Sequence, residues 1–189
     1  SIGGYHAAKL RRYQEMIEEH ISTEMNGVFK AVSEAGGDMQ KVASSGFPVL
    51  NMLNTRYFIF PLQGGKTVPI QNPYTLGNAW FVNQISYVDN ANDELGALGK
   101  MNLRHEAVAD VKFKEKLGNA LPQDDLSVVK LTKYEPNELT YDIHSSKGGI
   151  VVFSEIYYPG WTATVDGMPV EVGRVDYVLR AINVKAGQH

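Results

Sequence analysis

The run Tyr157-Tyr158-Pro159-Gly160-Trp161-Thr162-Ala163-Thr164-Val165-Asp166-Gly167 gathers three large aromatic rings around a Pro-Gly turn and closes on Asp-Gly. Two uses fit these residue types. Flat rings stack on the C–H faces of sugars, whose hydroxyls then need fixed polar partners. In that reading Trp161 with Tyr157 or Tyr158 forms the platform, and Asp166, Arg180 or Asn183 supplies the hydrogen bonds. In the other reading the turn is the corner of a β-structure, where Trp161 closes the end of the core and keeps its N–H on a partner. Neighbouring strand residues point to opposite faces, so at most one of Tyr157 and Tyr158 joins the core. Trp80 is a second aromatic candidate, but its alternating neighbours mark it as core.

Other chemistry is sparse. The chain has no cysteine, which excludes disulfides, thiolate catalysis and Cys-ligated zinc. It has no Walker loop, no G-x-S-x-G elbow and no dinucleotide fingerprint. His6, His20, His105, His144 and His189 are scattered without ligand spacing, so no metal and no cofactor is expected. The acidic run 89–94 fails as a calcium loop: its third position is Ala91, its sixth Glu94 and its twelfth Lys100. It reads instead as a helix start, with Asn90 as cap and Asp93 and Glu94 in the first turn. Lys9, Arg11 and Arg12 form a basic cluster that is either a solvated helix face or a patch facing lipid headgroups.

The elements that would hold these residues follow from periodicity. Leu10, Tyr13, Ile17 and Ile21 make a helical stripe over 6–21, and Met25, Val28, Phe29 and Val32 a second over 23–35, stopped by Gly36-Gly37. Residues 57–60 read as the first buried strand, 66–70 as its return, and 79–88 as one further strand before a helix over 90–101. From Leu126 the period becomes two, giving short strands over 127–134, 138–145, 149–157, 162–165, 168–173 and 177–184. Asp166-Gly167 between two of them is a two-residue hairpin signal, because a type I′ turn needs positive φ at both central positions.

The fold class expected is therefore α+β: N-terminal helices followed by a mainly antiparallel β-sandwich of jelly-roll or carbohydrate-binding-module type. Residues 1–54 form a helical preface packed on the rest, and 55–189 the sandwich with an inserted helix near 90–101. A net charge of −3 argues against nucleic acid as partner, since phosphate binding calls for a basic excess. No apolar stretch is long enough to span a bilayer. The start at Ser1 and a C-terminal turn that should lead into another strand suggest a piece of a longer protein, lacking its last strand.

Several segments together resemble the C-terminal soluble region of the bacterial YfhO family. They are Ser1-Ile2-Gly3-Gly4-Tyr5-His6-Ala7-Ala8-Lys9-Leu10-Arg11-Arg12-Tyr13-Gln14, Leu50-Asn51-Met52-Leu53-Asn54-Thr55-Arg56-Tyr57, Gly77-Asn78-Ala79-Trp80-Phe81-Val82, YYPGW over 157–161, Val165-Asp166-Gly167 and Tyr177-Val178-Leu179-Arg180-Ala181. The resemblance implies a polytopic membrane protein of the GT-C glycosyltransferase type, moving a sugar from a lipid-phosphate carrier to a cell-envelope acceptor. It would place this chain on the extracytoplasmic face of a bacterial membrane, tied to the bilayer through flanking segments absent here. The family's catalytic acid belongs to an early loop outside this chain, so no catalytic residue carries over. The expectation is a non-catalytic domain that positions a glycan, a lipid-linked sugar or a cell-envelope polymer. The alternative is a structural module that braces the transmembrane region and has no ligand of its own. A hydrolase would instead need a carboxylate pair about 5–10 Å apart in a cleft.

Overall fold

The structure, a computed structural model, describes residues 10–189. Helix α1 (Arg11–Met16) passes through a π-helical stretch (Ile17–Ile21) into α2 (Ser22–Glu34), so the two expected helices are one continuous rod. The sequence reading began the first helix at His6; residues 6–9 lie outside the described residues. The π stretch has a plain effect. Its wider turn brings Met16 and Ile21, five apart, onto the one buried face that Val28 and Val32 continue. Gly36 and Gly37, at φ 66° and 89°, end the rod, and the Gly37 N–H returns to the Val32 carbonyl at 2.9 Å.

The rod caps its neighbour. Glu24 on α2 is buried, and its carboxylate accepts from the Val49 and Leu50 amides, at 3.1 and 2.9 Å, at the start of α3 (Pro48–Met52). Burial pushes the Glu24 pKa up to about 7 against those two donors. The hairpin β1 (Tyr57–Pro61) and β2 (Thr67–Gln71) forms where expected, but the strand read as buried is buried on one face only: Phe58 and Phe60 turn inward while Tyr57 and Ile59 stay exposed. Phe58 meets Phe47 edge-on at 6.0 Å, and Phe60 meets Phe29 on α2 at 4.7 Å.

The single strand expected over 79–88 is two. β3 (Ala79–Phe81) pairs antiparallel with the later β8, whereas β4 (Gln84–Val88) runs parallel to β5 (Glu106–Asp110) with α4 (Ala91–Ala97) as the crossover. The change of partner occurs between two residues: the Val82 amide bonds the Ile150 carbonyl, and the Asn83 and Gln84 amides both bond that of His105. β5 escaped the sequence reading because Ala107, Val108 and Ala109 are all buried, and a strand covered on both faces loses its alternation. Asn90 caps α4 as expected, its side chain accepting from the Asp93 amide at 2.9 Å, but the helix ends four residues short of the expected 101.

Past the short α5 (Lys114–Leu117) come β6 (Val128–Glu135), β7 (Glu138–Ser145), β8 (Gly149–Ile156), β9 (Ala163–Val165), β10 (Met168–Val170), β11 (Gly173–Val175), β12 (Leu179–Val184) and β13 (Gly187–Gln188). The strand expected over 168–173 thus splits, because β10 belongs to the β9 hairpin and β11 to a larger sheet. That sheet has the order β11-β12-β8-β3, and a second has the order β13-β7-β6, both antiparallel. A large apolar core joins the α1–α2 rod to α4, β5 and one face of the four-stranded sheet. A smaller core of Phe81, Ile143, Val151, Ile182 and Val184 joins that sheet's residues to β7 of the three-stranded sheet. The class is α+β with small, mainly antiparallel sheets.

Candidate functional site

Strand alternation positions a cleft beside the smaller core. On β8, Val151 belongs to that core, so Phe153 and Glu155 follow on the same face; on β12, Ile182 and Val184 do, so Arg180 precedes them there. From β7, Ile143 and Tyr141 face them, with the Tyr141 and Phe153 rings edge-on at 4.8 Å. Where this core ends, a cleft of about 980 Å³ opens, walled by the 158–164 segment and by the Asp166 turn. Its size lies at the upper end of what small-molecule sites occupy.

The Arg180 guanidinium lies over the half-buried Trp161 ring, 4.2 Å from its centroid, and donates to Glu155 at 3.2 Å. Burial lowers the Arg180 pKa, with Glu155 opposing the shift. Two residues that line the cleft each bury a polar atom without a partner: the Tyr141 hydroxyl and Arg180 Nε. Desolvation pushes the Tyr141 pKa up to about 12, so the group stays a neutral hydroxyl that can donate. Gly160 turns at φ 105°, a value few side chains tolerate, and delivers Trp161 to the wall. Asp166 and Gly167 have φ 51° and 79°, both positive as the type I′ turn demands. The Asp166 carboxylate meets His189 Nδ1 at 2.6 Å, a hydrogen bond that raises the His189 pKa.

Of the residues that sequence pointed to, Trp161, Tyr158, Asp166 and Arg180 all line the cleft. Tyr158 is 57% exposed at the rim. Tyr157 is not among them: it packs edge-on against Phe113 at 5.8 Å, and its amide bonds the Val178 carbonyl. Asn183 also turns elsewhere, donating to the Leu117 carbonyl at 2.6 Å. Trp80 is core, with Nε1 on the Leu103 carbonyl at 3.1 Å. Sequence reasoning missed Tyr141, Phe153, Glu155 and His189. Their strands were legible, but which face of one sheet would meet another was not.

A second polar cluster surrounds Glu94, which is 0% exposed. Arg174 donates to it at 2.8 Å, Arg12 at 3.2 Å and the Tyr177 amide at 3.3 Å. The Arg12 guanidinium also sits 4.4 Å from the Tyr177 ring centroid, and the Tyr177 hydroxyl donates to Glu15. Asp176, likewise 0% exposed, accepts from the Val108 amide through Oδ1 while Oδ2 has no partner. Burial pushes its pKa up to about 8, the nearby Glu94 adding to the effect. Asp176 and Tyr177 both hold left-handed backbone, at φ 48° and 70°. Of the basic cluster proposed for headgroups, Arg12 is therefore engaged inside the protein, Arg11 is 91% exposed and paired with Glu15 at 2.8 Å, and Lys9 lies outside the described residues. Among the described residues no cluster of three or more acidic or histidine groups could hold a metal.

Residues 96–189 match the family model described as bacterial membrane protein YfhO. The whole cleft lies in this stretch, whereas the α1–α2 rod and Glu94 precede it. No curated protein and no solved structure matches the chain. Among the described residues no helix is long and apolar enough to cross a membrane.

Proposed function

Because the chain belongs, over residues 96–189, to the YfhO family of bacterial membrane proteins, we propose that it is an extracytoplasmic domain whose cleft holds a saccharide for a lipid-carrier-dependent glycosyltransferase. In this reading the two facing sheets are a sandwich of the carbohydrate-binding-module kind, preceded by a helical preface over 1–54. The cleft positions a glycan, a lipid-linked sugar or an envelope polymer, and bond-making belongs to parts of the parent protein outside this chain. The observation that carries the proposal is the pairing of a stacking surface with unfilled hydrogen-bonding capacity. Trp161 and Tyr158 border the same cleft as Tyr141 and Arg180, whose hydroxyl and Nε are buried without a partner. A buried polar atom without a partner costs about 1–3 kcal/mol, a cost that a sugar hydroxyl arriving there would remove.

A second reading, a brace with no ligand, is favoured by the Glu94 cluster. It ties the helix that precedes the family-matched half to that half through Arg12, Arg174 and Tyr177. The two readings are compatible, since they use different side chains: Arg12, Arg174 and Tyr177 around Glu94 for the brace, and Trp161, Tyr141 and Arg180 for the cleft. A glycan-array screen of the chain beside Trp161→Ala tests the first, with the melting temperature of each measured alongside. The proposal expects binding that is lost in a variant still folded. An array on which the parent binds nothing, with a variant that loses the several kcal/mol typical of core truncation, would assign Trp161 to the corner alone.

A further inference from the structure

Residues 39–88 contain no aspartate or glutamate and carry Lys41, Arg56 and Lys66, in a chain whose net charge is −3. Lys41 is paired with Asp38 at 3.5 Å. Arg56 and Lys66 are exposed, and among the described residues neither has a carboxylate partner; Arg56 meets the uncharged Asn78 side-chain oxygen at 3.3 Å. Between these two cations runs the β1–β2 hairpin. Tyr57, Ile59 and Pro61 share its outward face with their cross-strand partners Gln71, Pro69 and Thr67, and that face carries no charge. Tyr57, Ile59 and Leu62, just past the end of β1, are each more than half exposed. On α2, which the hairpin touches through Phe29 and Phe60, Lys30 and Glu34 lie 4.0 Å apart and offset each other. An uncharged apolar face with a free cation at either end has the chemistry of a bilayer interface: a tyrosine ring and aliphatic groups for the acyl boundary, cations for anionic headgroups. A further β-strand fits less well, because Pro61 and Pro69 leave each strand of the hairpin short of one amide to offer it. The match of residues 96–189 to a family of bacterial membrane proteins makes a bilayer the extended apolar surface within reach of the parent protein.

We propose that the β1–β2 hairpin docks on the interface of an anionic bilayer, with Tyr57, Ile59 and Leu62 at the acyl boundary and Arg56 and Lys66 on phosphate headgroups. Five-residue strands span about 17 Å, so a hairpin lying flat presents one cation at its base and one at its tip to the headgroup layer. Three apolar side chains and two charges make a weak contact. In a parent protein already held at the membrane, such a contact fixes orientation, because tethering supplies the effective concentration. The hairpin contributes no residue to the cleft, so the proposal stands apart from the saccharide reading.

The chain has no cysteine, so a single introduced thiol can be labelled alone. Leu62→Cys and, as a control, Leu126→Cys, which replaces another exposed leucine, are each coupled to a polarity-sensitive fluorophore and titrated with vesicles of equal parts phosphatidylglycerol and phosphatidylcholine. The label at position 62 should brighten and shift to the blue in a saturating way, and the label at position 126 should not. Vesicles of phosphatidylcholine alone should give a weaker response at position 62. With that label in place, Arg56→Gln and Lys66→Gln should each raise the lipid concentration at half-saturation roughly fivefold on the anionic vesicles, the factor one surface cation contributes. Ile59→Ser should raise it severalfold on both kinds of vesicle, and melting temperatures report that each variant is folded. No response at position 62, an equal response at position 126, or a response unaltered by all three substitutions overturns the proposal. A change at position 62 that grows with protein concentration in the absence of lipid assigns the face to a second copy of the chain and overturns it as well.

Discussion

Tyr141 carries the sharpest consequence of the cleft. Its hydroxyl is buried without a partner, so in the free protein it is a cost and in a bound state it is a donor. Tyr141→Phe should therefore raise stability by about 1 kcal/mol, read as a higher urea midpoint. The same change should weaken saccharide binding about tenfold, the loss of one well-placed hydrogen bond. A destabilised variant would mean that the hydroxyl already has a partner in the free protein. Residues of this kind are hard to find in sequence. Tyr141 stands at an ordinary inward position of an alternating strand, and its lack of a partner depends on what the other sheet brings. Trp161, Asp166 and Arg180 were found because a Pro-Gly turn and an Asp-Gly hairpin announce themselves locally. Glu94 stands in the first turn of α4 as expected, and its burial follows from its spacing, three residues after Ala91 and four before Leu98, on the face that packs inward.

Among the elements, the N-terminal rod has the least obvious attachment. Its apolar stripe packs on the main core, but its register is set by polar contacts: Arg12 and Glu15 to the Glu94–Tyr177 cluster, His20 Nε2 with the Leu95 carbonyl at 2.8 Å, and Glu24 on α3. Arg12→Ala leaves Glu94 with Arg174, so the expected loss is about 1–2 kcal/mol. Arg174→Met leaves the buried carboxylate the Tyr177 amide and, for a cation, only the partly exposed Arg12, and the expected loss is about 3 kcal/mol or more. Chemical denaturation measures both, and the two changes together should cost something other than their sum because they share Glu94. Arg12→Ala should also speed proteolysis within α1 and leave the cleft's binding unaltered. Equal weakening of cleft binding would show that the rod and the cleft are coupled. The antiparallel strands were legible to within a residue or two at most ends, since alternation and turn residues are local signals. The parallel β4–β5 pair was not, because its buried strand does not alternate and its partner lies across a helix.

For the molecule as a whole, two buried carboxyls set the pH dependence of folding. Asp176 and Glu24 have pKa values pushed up to about 8 and about 7, against roughly 4 in an unfolded chain. A carboxyl raised on folding favours the folded state most fully below its unfolded value, and that contribution is lost as pH rises through the folded value. Stability should thus decline from about pH 4 to about pH 8. Glu15, Asp110 and Asp124 are shifted down and act in the opposite sense, losing their contribution only as pH falls below the ordinary carboxylate range. Asp176→Asn keeps an acceptor for the Val108 amide and tolerates the left-handed backbone. It should flatten the decline and raise the melting temperature at pH 8.5 more than at pH 5. The two tryptophans give the most direct test of the account, since each has one indole N–H signal in a proton–nitrogen correlation spectrum. Titration with an N-acetylglucosamine tetramer should shift the Trp161 indole signal in a saturating way. The Trp80 signal, tied to the Leu103 carbonyl inside the core, should stay where it is. A Trp161 signal that does not move at millimolar tetramer would contradict a saccharide site in this cleft.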